Sequence, residues 1–488
     1  MSADSPQLDP TSSLMLGGAA GEAAPVAPEE RIFAVDVLRG FALLGILLVN
    51  MMGFSLPQQV WALREPWWSS GPDRAAVWLT NAFASGKFYA LFSLLFGLGL
   101  YLQMQRLEAR GRRFVGLYAR RLLVLLGFGV AHIVLLWYGD ILTLYALLGW
   151  VLLALRKRSN ALVLGLAAAV YLLPLLYIGG QAVQALYLTG TTGSAATEGS
   201  AAVVDANATP ADAEDQFDDG RDEAWAAMEQ EQAEYELAEQ SAAREQQHAT
   251  MVQEIRRIID VYRDGTFGEV VRQRLADERY SLYSVALMAP VVLAMFLAGL
   301  YVGRRGILHD PAAHRRLLLV LAYIGLPLGL AVNMGYATFF NWAQAQGWLW
   351  NLQVPTQACY QLGMPLLTGG YAAALVLLAQ RAAWQQRLAP LAAVGRMALT
   401  NYLLQSVVCT TVFYSYGLGW YGQVSPARGM LLALAIYAAQ VPLSLWWLGR
   451  FRFGPAEWLW RTLTYWRVQP PRLPRVHRLP PPTQGLLG

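Results

Sequence analysis

Residues 35–55 read VDVLRGFALLGILLVNMMGFS. Two charges, Asp36 and Arg39, open this stretch, and no other follows before Ser55. As a helix rising 1.5 Å per residue it would be about 30 Å long, the thickness of a bilayer's hydrocarbon core. Further apolar blocks lie at 87–104, 118–137, 141–155, 161–180, 283–303, 316–339, 360–380, 397–416 and 429–448. Each runs about 15–24 residues, enough to cross with some tilt or snorkelling ends. The pattern predicts an all-α fold: a polytopic helical membrane protein with about ten transmembrane helices and one acidic extracytoplasmic insert. Composition agrees. Of 488 residues, 56% are apolar and only 14% charged, where a soluble chain needs about a quarter charged to solvate its surface. Cys359 and Cys409 lie in or beside apolar blocks, and two such residues make neither a disulfide framework nor a metal site.

Basic residues crowd every second connection between the blocks. Arginines crowd 105–121 as Arg106, Arg110, Arg112, Arg113, Arg120 and Arg121. Arg156, Lys157 and Arg158 follow the fourth block, Arg304, Arg305, Arg315 and Arg316 the sixth, and Arg381 and Arg387 the eighth. Arg450, Arg452, Arg461 and Arg467 follow the tenth. These are alternate connections, so the positive-inside rule puts them all in the cytoplasm, together with both termini. That rule also accounts for the net charge of +4 without nucleic acid. The expected location is a bacterial inner membrane, with the lipid bilayer as the principal partner.

Five segments are expected: a disordered tail over 1–30, an N-terminal transmembrane bundle over 31–180, and an extracytoplasmic acidic insert over 181–281. A C-terminal transmembrane module over 282–466 and a Pro/Arg-rich cytoplasmic tail over 467–488 complete the chain. Within the insert, Asp222 to Arg263 is rich in Glu, Gln and Ala, with Met251, Ile255, Ile258 and Ile259 at helical spacing. This predicts a long, mostly solvated helix, amphipathic towards its end and stopped at Asp264-Gly265.

Charged and polar groups inside spans are costly in hydrocarbon, so each is a functional candidate. Asp36 and Arg39, at i and i+3, share a helical face. Asn50 follows, about 16 Å deeper at 1.5 Å per residue. Lys87 opens the second span, His132 closes the third, Asp140 precedes the fourth, and the ninth carries Arg396, Asn401, Tyr402 and Gln405. By topology, Lys87, His132, Asp140 and Asn50 belong to an outer layer. Asp36, Arg39, Arg396 and Asn401 belong to an inner one. Structural readings stand beside these: Asp36 and Arg39 as a neutralising pair, Lys87 as a snorkelling residue, and Asp140 as a helix cap. His132 would then simply satisfy a buried hydrogen bond. No phosphate-binding glycine loop, HExxH or nucleophile elbow occurs, so any chemistry comes from residues on several helices.

Four blocks, DVLRGFALLGILLVN, GKFYALFSLLFGLGL, AHIVLLWYGDILTLYALLG and VGRMALTNYLLQSVVCTTVFYSYGLGWYG, resemble the YeiB-like bacterial inner-membrane proteins. The last is similar to their C-terminal module, the domain of unknown function numbered 418. The resemblance runs from about Arg31 to Trp466, with 191–250 unmatched. The N-terminal half is also similar to a wider transmembrane acyltransferase superfamily that includes the lysosomal heparan-alpha-glucosaminide N-acetyltransferase. The shared element is an LDxLRG-like opening, here Val35-Asp36-Val37-Leu38-Arg39-Gly40 with Val for the first Leu.

That resemblance implies an acyl group passed from a cytoplasmic acyl-CoA to an acceptor, a small molecule or glycan, at the outer face. No bound cofactor is expected, acyl-CoA being a donor substrate. Its phosphates would dock on Arg112, Arg113, Arg120 and Arg121, because the arginine fork donates two hydrogen bonds at once. His132 would be the general base or acyl carrier, Asp140 its orienting carboxylate, and Lys87 or Asn50 an oxyanion donor. The alternative is a transporter or permease whose buried charges form a proton or substrate relay. A metal is expected in neither.

Overall fold

The computed structural model describes residues 32–63, 67–111, 114–198, 221–345 and 353–472. The tail 1–30, Arg112 and Arg113 lie outside the described residues. Fifteen α-helices follow one another, with no strand among the described residues. They are α1 (Phe33–Ser55), α2 (Gly71–Leu79), α3 (Lys87–Ala109), α4 (Phe114–Leu135), α5 (Leu142–Leu155), α6 (Asn160–Glu198), α7 (Arg221–Asp264) and α8 (Phe267–Arg304). The remainder are α9 (Arg315–Val320), α10 (Leu326–Ala345), α11 (Gln353–Ala379), α12 (Ala382–Arg396), α13 (Ala398–Phe413), α14 (Pro426–Leu448) and α15 (Pro455–Tyr465).

Among the described residues, eight helical segments are long and apolar enough to cross a membrane, and two shorter apolar helices, Leu142–Leu155 and Ala398–Phe413, join them. The protein is an all-α polytopic membrane protein. Its outward faces say so as clearly as its core. Leu172, Leu173, Leu176, Tyr323, Ile324 and Leu431 are large, apolar and exposed, on a scale that water would penalise and lipid would not.

The two shorter apolar helices are α5 and α13. The 14 residues of α5 span about 21 Å at 1.5 Å per residue, short of a full crossing of about 30 Å. The turn joining α4 to α5 therefore dips into the bundle. Such non-helical backbone survives at membrane depth only when protein covers it. Here Trp137 Nε1 donates to the Gly53 carbonyl at the end of α1 (3.2 Å), and Trp137 packs on Phe54 with ring centroids 4.1 Å apart.

The other short helix, α13, is separated from α12 by a single kinked residue, Met397. Arg381 is the N-cap of α12 and Arg387 lies within that helix, so the expected loop between the eighth and ninth blocks is helical. The first turn of α13 is capped from elsewhere. The Glu457 carboxylate on α15 accepts from Leu399 N (2.7 Å), Thr400 N (3.1 Å) and Thr400 Oγ1 (2.5 Å). An anion at a helix N-terminus satisfies orphan amides and meets the positive end of the dipole. One close crossing then seats α12 on α1. A Cβ on Gly40 would lie 2.0 Å from the Leu391 carbonyl oxygen, and one on Gly395 would lie 1.9 Å from that of Asp36. Only glycine permits this approach, and it brings Asp36 and Arg39 beside Arg396.

The insert is continuous with the bundle. Helix α6 runs on past residue 180, and α8 begins at Phe267 behind a capping box made by Thr266 and Glu269. The first part of α7 is exposed, including Trp225, Met228, Tyr235 and Leu237, whereas Ile255, Ile258, Ile259 and Tyr262 are buried. The amphipathic end of α7 packs onto the bundle, where the Tyr262 ring meets those of Tyr414 and Tyr421 with centroids 4.6 Å away in each case. Residues 199–220 lie outside the described residues.

Candidate active site

His132 closes α4, and three elements meet at its ring. Its Nε2 lies 2.7 Å from Ser406 Oγ on α13. Its Nδ1 lies 3.3 Å from Asp140 Oδ1, close enough to pair and off the line of a hydrogen bond. The Tyr402 ring, one turn before Ser406, stacks on the imidazole with centroids 5.1 Å apart. His132 and Ser406 are each only 1% exposed. Asp140 serves two ends at once, because Oδ2 accepts from Thr143 N at 2.6 Å in the first turn of α5. The cap and the histidine partner are one carboxylate, and each role holds the other in place.

A cavity approaches this cluster from the arginine-rich face. It encloses about 1250 Å³ including its open mouth. Asp36, Arg39, Arg121, Arg396 and Arg461 give it a polar end, while Phe92, Phe96, Leu125, Leu142 and Tyr145 give it apolar walls. Tyr402 lines it too, so one aromatic ring stands between the cavity and His132. A second cavity adjoins the mouth, sharing Asp36, Arg39, Arg121 and Arg461 and adding Arg106 and Arg110. Arg39 Nη1 lies 3.4 Å from Asp36 Oδ1, so the predicted intrahelical pair forms at the cavity wall. The Arg121 guanidinium sits 4.0 Å from the Trp460 ring, and the buried Arg396 Nε has no hydrogen bond among the described residues.

A model for a protein family described as Protein of unknown function (DUF418) matches residues 302–467. The uncharacterized protein YxaH of Bacillus subtilis is 34% identical over 91% of this chain and 97% of its own length. The chain belongs to the DUF418 family. The uncharacterized YeiB of Escherichia coli is 30% identical over 92% of this chain and all of its own length. An uncharacterized 39.9 kDa protein of Bacillus acidopullulyticus is 27% identical over 91% of the chain and 97% of its own length. No solved structure matches significantly. The matched DUF418 segment contains Tyr402, Ser406 and Arg396, whereas His132 and Asp140 precede it. The cluster is thus assembled across both halves of the chain.

The other residues singled out from sequence fall in different places. Lys87 is fully buried, but its Nζ donates to the Asn81 carbonyl at 2.7 Å and lies about 6.0 Å from the Tyr336 ring and 5.9 Å from that of Tyr360. None of these partners is shared with His132. Just before it, Gly86 adopts φ +84°, where a side chain would also strike the Tyr360 hydroxyl. Asn50 makes no side-chain hydrogen bond to the described residues. Arg120 turns away from the cavity, donating to the Thr464 carbonyl at 3.3 Å beside Trp466. Asn401 and Gln405 bind α13 to α14: Asn401 Nδ2 donates to Ser444 Oγ (3.0 Å), Gln405 Nε2 to Gln440 Oε1 (2.9 Å), and Gln440 Nε2 to the Asn401 carbonyl (2.9 Å). No cluster of metal-ligating side chains occurs among the described residues.

Sequence reasoning missed Ser406, Glu457 and Arg461. Tyr402 and Ser406, at i and i+4, share a face of α13, a helix that also carries Thr400, Asn401, Gln405, Thr410 and Thr411. On the insert side it also missed a buried group at the start of α8. There Tyr262 Oη donates to Asp277 Oδ2 (2.6 Å) and Gln273 Nε2 to Oδ1 (3.0 Å). Arg274 Nη1 donates to the Val134 carbonyl of α4 (2.5 Å), two residues beyond His132. Burial pushes the Asp277 carboxyl up to about 6 despite its two hydrogen bonds.

Proposed function

We propose that this chain is an integral membrane acyltransferase that takes an acyl group from a cytoplasmic acyl-CoA and delivers it to an acceptor. The observation that carries this reading is a basic-mouthed, apolar-walled cavity whose inner aromatic wall, Tyr402, stacks on a histidine held between a carboxylate and a hydroxyl. Arg39, Arg121, Arg396 and Arg461 are suited to the donor's phosphates. The walls of Phe92, Phe96 and Leu142 are suited to the pantetheine and acyl chain. Arg121 keeps the role given to it from sequence, and the other three arginines replace Arg120 in it.

His132 accepts a proton at Nε2, and Asp140 holds its other nitrogen and stabilises the imidazolium that forms. Tyr402 must swing aside for a thioester to reach this nitrogen. The arginine-rich face is then cytoplasmic, with both termini inside and the α7 face outside, in a bacterial inner membrane. The resemblance of the N-terminal half to transmembrane acyltransferases points the same way.

Titration calorimetry of the detergent-purified chain with acetyl-CoA tests the reading. Saturable binding, weakened by about tenfold or more in Arg121→Ala/Arg396→Ala and kept in His132→Ala, is expected. No binding to the wild-type chain at any accessible concentration would overturn it. The transporter reading rests on Lys87, a buried cation with only a carbonyl and two ring faces for partners, and would gain from that outcome.

A further inference from the structure

Resting on the acyltransferase reading, we infer that Ser406 carries the acyl group as a covalent ester, so that transfer proceeds by double displacement. A serine inside a helix ordinarily returns its hydroxyl to the carbonyl four residues back. Ser406 has that option at Tyr402, but the distance is 3.4 Å, against 2.7 Å to His132 Nε2. Its short contact is therefore to a base on another helix. Asp140 beside Nδ1 favours the tautomer with the proton on Nδ1, which leaves Nε2 as an acceptor facing the hydroxyl. Hydroxyl, imidazole and carboxylate stand in the order that activates a nucleophile.

All three side chains are withdrawn from solvent, which protects an ester from hydrolysis between half-reactions. Ser406 also sits on the same face of α13 as Tyr402, one turn away. The rotation that exposes His132 to the cavity therefore exposes Ser406 with it.

The steps balance without an added reactant. His132 Nε2 takes the Ser406 proton while Oγ bonds the thioester carbonyl carbon. The carbon–sulfur bond breaks, and CoA leaves as the thiol with that proton. In the second half, an acceptor hydroxyl or amine gives a proton to His132 and bonds the acyl carbon. The Oγ–carbon bond breaks, and Ser406 recovers its proton. Donor and acceptor never need to occupy the bundle together. This suits a thioester supplied at one face and an acceptor arriving at the other.

The test is incubation of the full-length purified chain with radiolabelled acetyl-CoA and no acceptor, followed by acid quench and peptide mass spectrometry. One acetyl group on the peptide containing Ser406 is expected, with stoichiometric release of free CoA thiol. Ser406→Ala should lose the label by more than ~100-fold while still binding acetyl-CoA in the calorimeter. Ser406→Cys should form a hydroxylamine-labile thioester, which answers the concern that alanine disturbs α13. Label on His132 instead, or undiminished label in Ser406→Ala, overturns the serine ester and leaves the acyltransferase reading intact. Acetyl-CoA binding without label or thiol release does the same. Absence of binding by the wild-type chain overturns both.

Discussion

Two buried titratable side chains, His132 and Lys87, are both withdrawn from solvent, yet their surroundings differ in kind. His132 has a polar partner on each nitrogen, contributed by different elements, and a cavity beyond the ring that covers it. Lys87 has one carbonyl and two aromatic faces, which soften the cost of a buried cation without offering it a reaction partner. Burial of charge marks a candidate; a chain of donors and acceptors ending at a cavity is what distinguishes a reactive site.

The largest expected effect separates the two. His132→Ala should cut acetyl transfer by about 10²–10⁴-fold, the usual contribution of a general base, while size-exclusion and thermal profiles stay near wild type. Lys87→Met should leave transfer within about threefold and raise the melting temperature, because an apolar chain of similar volume removes a buried charge. Loss of transfer in Lys87→Met with His132→Ala unaffected would reverse the comparison.

A second expectation concerns the ring between cavity and base. Tyr402→Ala should make His132 reactive towards diethyl pyrocarbonate in the folded protein, where the wild type is protected. Unchanged protection would mean that Tyr402 does not close the route.

The next is structural. Glu457→Gln weakens the cap on α13 and should cost about 1–2 kcal/mol of stability. Read as a lower unfolding temperature, it should come with reduced rather than abolished transfer, since Tyr402 and Ser406 lie on that helix.

The smallest effect is on the packed end of α7. The folded pKa of Asp277, raised to about 6 by burial, lies above its ordinary 3.8. Stability from this group is therefore greatest below pH 4 and is lost as pH rises through 6. Glu254 adds to the shift, and Arg257 and the hydrogen bonds of Tyr262 and Gln273 oppose it. Protection of α7 residues 255–262 from hydrogen exchange should gain about 1 kcal/mol between pH 7.5 and pH 5. Asp277→Asn should remove that pH dependence.

Much of this molecule was legible in residue order. Hydrophobic blocks of membrane length state the spans, because lipid admits few alternatives to a helix with an apolar surface. His132 and Asp140 stood out because charge is rare in such blocks, and Asp140 follows His132 across a single connection that bends at Gly139. Ser406 did not stand out: a single hydroxyl in a helix has a local carbonyl to satisfy it, so nothing in one sequence marks it. Arg120 and Arg121 are neighbours with identical chemistry, yet one lines the cavity and the other faces Thr464 and Trp466. Adjacent helical positions point about 100° apart, and only the packing of α15 against α4 decides which direction is inward. Sequence by itself determined that this chain is a helical membrane protein with ionisable groups buried in its bundle. Which of those groups meet was decided by the tertiary structure, through close helix crossings such as Gly40 on Gly395, because contacts between distant segments depend on side-chain shape at both surfaces.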